Sequence, residues 1–306
     1  MAQTETANSS DAGPESETSL AETGLPMAGQ TCIVTGASSG IGQAASLALA
    51  TLGATVVLVC RDRVRGETAL AQVAAAGGGQ PSLELADLSS MDQVRELAGR
   101  LAGLPRIDVL VNNAGLVIAD RQLTADGLEH TFALNHLAPF LLTNLLRPTL
   151  TASAPARVVT VSSIAHRAAR LRLDDLQLER RYGAMLAYSN SKLANVLFTR
   201  ELARRLAGTG VTASCLHPGT VATHFGQTGN PWLKYGLAVG GRFLRSPAAG
   251  ARTVVYLAGS PDVSDQTGGY YVNAKRRQPS AAARNDDTAR QLWDRSAELT
   301  GLGPDS

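Results

Sequence analysis

The chain of 306 residues, 44% of them hydrophobic, can bury one sizeable core and lies near the upper size of a single α/β domain. A net charge of +2 gives no reason to expect nucleic acid, and three widely separated cysteines (Cys32, Cys60, Cys215) form neither a disulfide framework nor a metal site. Thiols of this kind, each in an apolar run, fit a reducing, cytoplasmic compartment.

Residues 1–26 are rich in Ser, Thr, Glu, Ala and Gly and are predicted to be a disordered tail, because few large apolar groups are present to offset ordering entropy. Five of the 26 acidic residues fall in the first 30 positions and no Lys or Arg precedes Arg61, which leaves the rest of the chain modestly basic and suited to an anionic cofactor. The tail has no basic region and no apolar run, so no signal peptide is expected.

The folded domain is placed at 27–301. Short β-branched runs alternate there with longer Ala- and Leu-rich stretches. Strands are predicted over 31–35, 55–60, 82–85, 108–112, 157–162, 211–216 and 268–272. Helices are predicted over 41–52, 64–76 and 91–101, through a long helical region ending near 150, and over 187–206 and 287–299. The uncharged run 41–60 contains Gly53 in its middle with Gln43, Ser46, Thr51 and Thr55, and reads as a buried helix followed by a buried strand, with no membrane span. Alternating strands and helices predict one α/β domain, a doubly wound parallel sheet of Rossmann type with helices on both faces.

The turn Thr35-Gly36-Ala37-Ser38-Ser39-Gly40-Ile41-Gly42 joins the first strand to the first helix. Glycines let backbone N–H groups and a helix N-terminus approach a pyrophosphate closely. Taken alone, the loop also suits S-adenosylmethionine or plain turn chemistry. At the end of the second strand, where an acid would accept ribose hydroxyls, the run is Val59-Cys60-Arg61-Asp62. An Arg61 guanidinium suits a 2′-phosphate, which favours NADP(H) over NAD(H). The bland alternative is a solvated Arg61 and an Asp62 that caps the next helix.

With Asp87-Leu88 after the third strand, Asn112-Asn113-Ala114-Gly115 after the fourth, Asn135 beyond, Ser162-Ser163, the YxxxK of Tyr188 and Lys192, and His217-Pro218-Gly219, the ordered set resembles the short-chain dehydrogenase/reductase family. The stretches around Ala187 to Leu202 and Asn135 to Thr143, with Leu292-Trp293, resemble its retinol-dehydrogenase-like branch, although a polar tail stands where membrane-bound members carry an apolar anchor. The resemblance implies a cofactor site of Gly36, Ser38, Ser39, Gly40, Ile41, Gly42, Arg61, Asp87, Leu88, Asn113, Ala114, Gly115, Tyr188, Lys192, Pro218, Gly219, Val221 and Thr223, and no metal. It further implies that Lys192 holds the nicotinamide ribose and that Asn135 positions a water in a proton relay to Lys192. Dimers or tetramers of the family would make a homo-oligomer compatible with this chain.

The residues carry the chemistry independently. Tyr188 and Lys192 are four apart on a helix and share a face. A lysine ammonium is expected to lower the phenol pKa, so that Tyr188 gives a proton to a carbonyl oxygen or takes one from an alcohol. A serine at the end of the fifth strand is expected to hydrogen-bond the same oxygen; the family resemblance implies Ser163 for this role and leaves Ser162 to packing or the backbone. Asp87 is open to an adenine contact or a helix cap, and Asn135 to backbone bonding. The long segment 164–187 and the irregular 220–245, with Trp232, Tyr235 and Phe243, are expected to form the entrance for a small lipophilic alcohol or carbonyl. The expectation is therefore an NADP(H)-dependent oxidoreductase with catalytic Asn135, Ser163, Tyr188 and Lys192. The alternatives are a ketoreductase of secondary metabolism and a non-catalytic dinucleotide sensor.

Overall fold

Short, near-continuous apolar runs and their glycine punctuation settle into one sheet. The computed structural model describes residues 25–219 and 246–303; most of the predicted tail, the predicted entrance segment 220–245, Val221 and Thr223 lie outside them. In chain order the elements are β1 (Thr31–Thr35), α1 (Gly40–Thr51), β2 (Thr55–Cys60), α2 (Arg63–Ala75), β3 (Ser82–Leu85), α3 (Met91–Ala102) and β4 (Val109–Asn112). A short α4 (His130–Phe132) runs through a π turn (Ala133–Leu137) into α5 (Ala138–Ala152). Then follow β5 (Ala156–Val161), α6 (Ala184–Arg205), β6 (Val211–His217), α7 (Pro247–Gly259), β7 (Gly269–Val272), β8 (Lys275–Arg277) and α8 (Asp286–Thr300).

Among the described residues the sheet has eight strands in the order β3-β2-β1-β4-β5-β6-β7-β8. The first seven strands are parallel, and β8 pairs antiparallel with β7. The expected doubly wound parallel sheet is found, and an unpredicted antiparallel strand, β8, is added at one edge through a two-residue hairpin. The order reverses between β1 and β4, so the two crossovers diverge and leave a crevice at the strand C-termini.

Alternate strand residues feed two separate cores. Ile33, Val57, Val59, Leu110 and Val158 pack beneath α3, α5, α6 and α8. Cys32, Val34, Val56, Leu58, Val109 and Val111 pack beneath α1, α2 and α7. Burying each Val or Leu contributes about 1.5–3 kcal/mol, and a strand buried on both faces counts its residues in both cores.

Candidate active site

The reversal point between β1 and β4 is closed by one threonine. Thr35 Oγ1 accepts the backbone N–H groups of Asn113 (2.9 Å) and Ala114 (3.1 Å), and Asn113 Nδ2 donates to the Thr35 carbonyl at 2.8 Å. These bonds hold the glycine-rich turn against the Asn113-Ala114-Gly115 loop. Gly36 sits at φ 67° and Gly40 at φ 57°, both in the left-handed region that glycine adopts without strain. A Cβ on Gly42 would overlap the Gly36 carbonyl oxygen, so the turn closes only with glycine there.

The mouth of α1 is left open. Its N-cap Ser39 makes no side-chain cap bond and its first turn holds no acid, whereas α2, α3, α7 and α8 are capped by Asp62, Ser90, Ser246 and Asn285. Uncapped N–H groups at a helix N-terminus, framed by glycines, fit a dinucleotide pyrophosphate. Asp62 is committed to Arg65 N–H at 2.8 Å, and Cys60 is 2% exposed with its thiol bonded to the Ser38 side chain. Burial pushes that thiol up, and the Ser38 bond partly offsets it. No carboxylate therefore ends β2. Arg61 is exposed and makes no ion pair among the described residues. Asp87 does not cap α3; its Oδ1 takes the N–H and hydroxyl of Ser89 (2.9 and 2.7 Å) and closes the turn ahead of that helix.

The second half of the site gathers at the C-terminal end of β5. Ser162 faces inward, and its Oγ donates to the Lys192 carbonyl at 2.8 Å, a structural tie. Ser163 faces the crevice, and its hydroxyl accepts Ala165 N–H at 3.2 Å and bonds the Tyr188 side chain. Lys192 is 3% exposed and donates from Nζ to the Val161 carbonyl at 3.1 Å. Its ammonium lies 5.6 Å from the Tyr188 ring centroid. It has no carboxylate partner among the described residues, and burial pushes its pKa down to about 8. Burial also raises the Tyr188 phenol, against a smaller lowering by Ser163. The expected depression of the tyrosine by its lysine neighbour is thereby corrected: desolvation of the phenolate dominates, and the proton stays on Tyr188 at neutral pH.

Asn135 lies on the π turn, fully buried. Its side chain accepts Leu116 N–H (2.8 Å) and donates to the Leu116 carbonyl (2.9 Å) and to Ser191 Oγ (3.0 Å). Its own carbonyl accepts Asn195 Nδ2 at 3.0 Å, and Asn195 Oδ1 faces His136 Nδ1 at 3.3 Å. A Cβ at Gly115 would stand 3.3 Å from both Asn135 Oδ1 and Lys192 Nζ, so these two groups converge on the end of β4. Thr35 and Asn195 were missed by sequence reasoning. Asn195 was detectable: with Tyr188, Ser191 and Lys192 it forms a polar line at helical spacing along α6.

The segment after Ser163 is stitched down. Tyr182 donates to the Ile118 carbonyl (2.8 Å), Gln177 Oε1 accepts Glu129 N–H (2.6 Å), and Asn190 Oδ1 accepts Arg170 N–H (2.9 Å). At its two ends Ile164 and Met185 are 48% and 52% exposed, beside Ser163 and Tyr188 in sequence. Pro218 and Gly219 close β6, the latter at φ 91°. Among the described residues no helix is long and apolar enough to cross a membrane.

Comparison with known proteins agrees with this architecture. The profile of the family described as short chain dehydrogenase matches residues 30–234. Retinol dehydrogenase 14 of Mus musculus is 43% identical over 291 residues, covering 90% of this chain and 87% of that protein. Retinol dehydrogenase 12 of Homo sapiens is 40% identical, covering 92% and 90%. Among solved structures, an uncharacterised protein from Mycobacterium paratuberculosis superposes with a TM-score of 0.75 at 37% identity, over 91% of this chain and 96% of that one. The Pseudomonas aeruginosa RhlG/NADP active-site complex does so with 0.65 at 27%, over 81% and 96%. The chain belongs to the short-chain dehydrogenase family, as a retinol-dehydrogenase-like oxidoreductase of alcohol and carbonyl groups that uses a nicotinamide dinucleotide.

Proposed function

We propose that the chain interconverts small lipophilic alcohols with their aldehydes or ketones, using NADP(H). One observation carries the reading: a buried lysine without a carboxylate partner stands behind a tyrosine that is bonded to a serine facing the crevice. An uncompensated buried ammonium is costly to a fold, and its persistence points to chemistry.

The residues divide the work. The turn 36–42 and the open N-terminus of α1 would hold the pyrophosphate, Arg61 a 2′-phosphate, Asp87 and Leu88 the adenine end, and Asn113, Ala114, Gly115, Lys192, Pro218 and Gly219 the nicotinamide half. When bound, the nucleotide supplies or accepts the hydride. Ser163 and Tyr188 hydroxyls hold the substrate oxygen. Tyr188, protonated at neutral pH, gives that oxygen its proton in reduction and recovers one in oxidation. Lys192 stabilises the phenolate left behind. Ile164 and Met185, apolar, exposed and close in sequence to Ser163 and Tyr188, support a lipophilic substrate.

The test is NADPH consumption with a panel of lipophilic aldehydes and ketones, retinal among them, with NADH in parallel. Tyr188→Phe is expected to lower kcat by about 10²–10⁴-fold. Arg61→Ala is expected to raise KM for NADPH by about tenfold or more and leave NADH unchanged, since a charge-assisted bond contributes about 1.5–3 kcal/mol. A Tyr188→Phe enzyme as fast as wild type would sink the catalytic assignment. A preference for NADH would sink the role given to Arg61.

A further inference from the structure

His166 is 1% exposed and lies three residues beyond Ser163, in the 3-10 turn Ile164–Ala168 that follows β5. Its Nδ1 is 2.7 Å from the Ser163 carbonyl oxygen, which can only accept, so the proton belongs on Nδ1. Its Nε2 takes the backbone N–H of Ser280 at 3.2 Å and must therefore be bare. The neutral Nδ1–H imidazole satisfies both partners. The other tautomer satisfies neither, and an imidazolium would set two donors against each other at Ser280. Burial holds the ring's pKa below its ordinary value, opposed by the Ser163 bond and aided by Arg167. Tyr270 packs edge-on with ring centroids 5.1 Å apart.

The arrangement grips one peptide group twice. The backbone N–H of His166 donates to the same Ser163 carbonyl at 3.2 Å. That carbonyl belongs to the residue whose extended backbone (φ −154°, ψ 159°) aims its hydroxyl at Tyr188. The far side of the imidazole is anchored on the segment after β8, which Arg167 also holds through the Gln278 carbonyl at 3.0 Å.

We propose that His166 is a positioning residue for Ser163: it clamps the Ser163 carbonyl to the segment after β8 and thereby fixes the direction of the hydroxyl that meets the substrate oxygen. The inference rests on the function proposed above for Ser163. A small misplacement at a reacting centre can cost about 100-fold in rate, so the clamp has consequences larger than its one hydrogen bond.

The experiment compares full-length wild type, His166→Leu, His166→Asn, Ser163→Ala and the His166→Leu/Ser163→Ala double variant. Each is read for kcat on a carbonyl that the wild type reduces, for NADPH Kd and for Tm. His166→Leu is expected to lower kcat by about 10- to 100-fold with NADPH Kd within about twofold of wild type. His166→Asn keeps an N–H near the Nδ1 position but lacks the Ser280 acceptor, and is expected to restore only part of kcat, leaving it between His166→Leu and wild type. In the Ser163→Ala background, His166→Leu is expected to cost under about twofold more, because two residues acting as one unit are not additive. An equal loss with and without Ser163, or a His166→Leu enzyme at wild-type rate, overturns the proposal. Nitrogen-15 histidine NMR on the wild type provides a readout independent of turnover and of the variants' folding. A neutral Nδ1–H tautomer for His166 is expected, and an Nε2–H tautomer overturns the clamp. A wild type that reduces nothing in the panel counts against the functional reading alone, and the tautomer still decides the clamp.

Discussion

Lys192 shows what the site costs the fold. Its amine titrates at about 8 in the folded chain against an ordinary 10.5. Between those values the unfolded chain holds a proton that the folded chain has released, so stability rises with pH across that window. Below about 8 the full penalty stands, of order 3 kcal/mol at about 1.4 kcal/mol per unit. Replacing Lys192 with Met is therefore expected to abolish turnover while raising Tm at pH 7, with the gain shrinking as the melt is repeated toward about pH 10. A Tm that falls at pH 7 would show that the Val161 bond outweighs desolvation. The neighbouring serines make the complementary point. In the sequence, only the family resemblance selects Ser163 over Ser162, since a strand end exposes either one depending on register. The pairing of Val161 with Leu216 turns Ser162 into the interior and Ser163 toward the crevice.

Elements were legible where burial writes a pattern. The run of Val56 to Cys60 is apolar on both faces because helices cover both sides of β2, and its predicted bounds match the observed ones. The exposed edge wrote no pattern: β8 is Lys275–Arg277, three exposed cations paired with β7 through the backbone. Helix α7 was missed although Ser246-Pro247 begins it and Ser260-Pro261 follows it, a start and stop signal for a helix. The π turn under Asn135 has no sequence signature of its own; its irregularity follows from bonds made by Leu116, Ser191 and Asn195, distant in sequence. The hairpin between β7 and β8 carries a testable strain. Asn273 and Ala274 both sit at positive φ, 53° and 57°, as a two-residue turn of this hand requires. Asparagine tolerates that region, whereas alanine loses roughly 1–2 kcal/mol there. Ala274→Gly is expected to stabilise the chain by up to about 1 kcal/mol, after the extra freedom glycine gives the unfolded state, with kcat unaltered. Chemical denaturation would measure it, and a lower midpoint would contradict the strain.

At the scale of the whole molecule the two cores divide the labour of the site. The glycine-rich turn runs from β1 into α1, and the apolar residues of α1 (Ile41, Ala45, Leu49) belong to the core shared with α2 and α7. Tyr188 and Lys192 ride on α6, which lies in the other core with α8 laid across it. The join between those two helices is aromatic. Trp293 of α8 stacks on Phe198 with centroids 5.7 Å apart, meets Phe140 edge-on at 4.9 Å, and carries the Arg205 guanidinium 4.3 Å above its ring. His136 adds a polar stitch from the π turn to Ser296 Oγ at 2.9 Å. Trp293→Ala is expected to cost about 3–5 kcal/mol, because a buried indole leaves a cavity that its neighbours fill only in part. For a chain of this size that is a fall in Tm of about 10 °C. Below the melting transition the loss should not be shared evenly. Loosening α8 frees α6 and the π turn, so kcat should drop, while NADPH affinity, set largely at the turn and at Arg61, should hold. Titration of NADPH against the variant, alongside its steady-state kinetics, separates the two. Affinity lost in step with kcat would mean that the cores are one cooperative unit, and that the sheet between them transmits the disturbance.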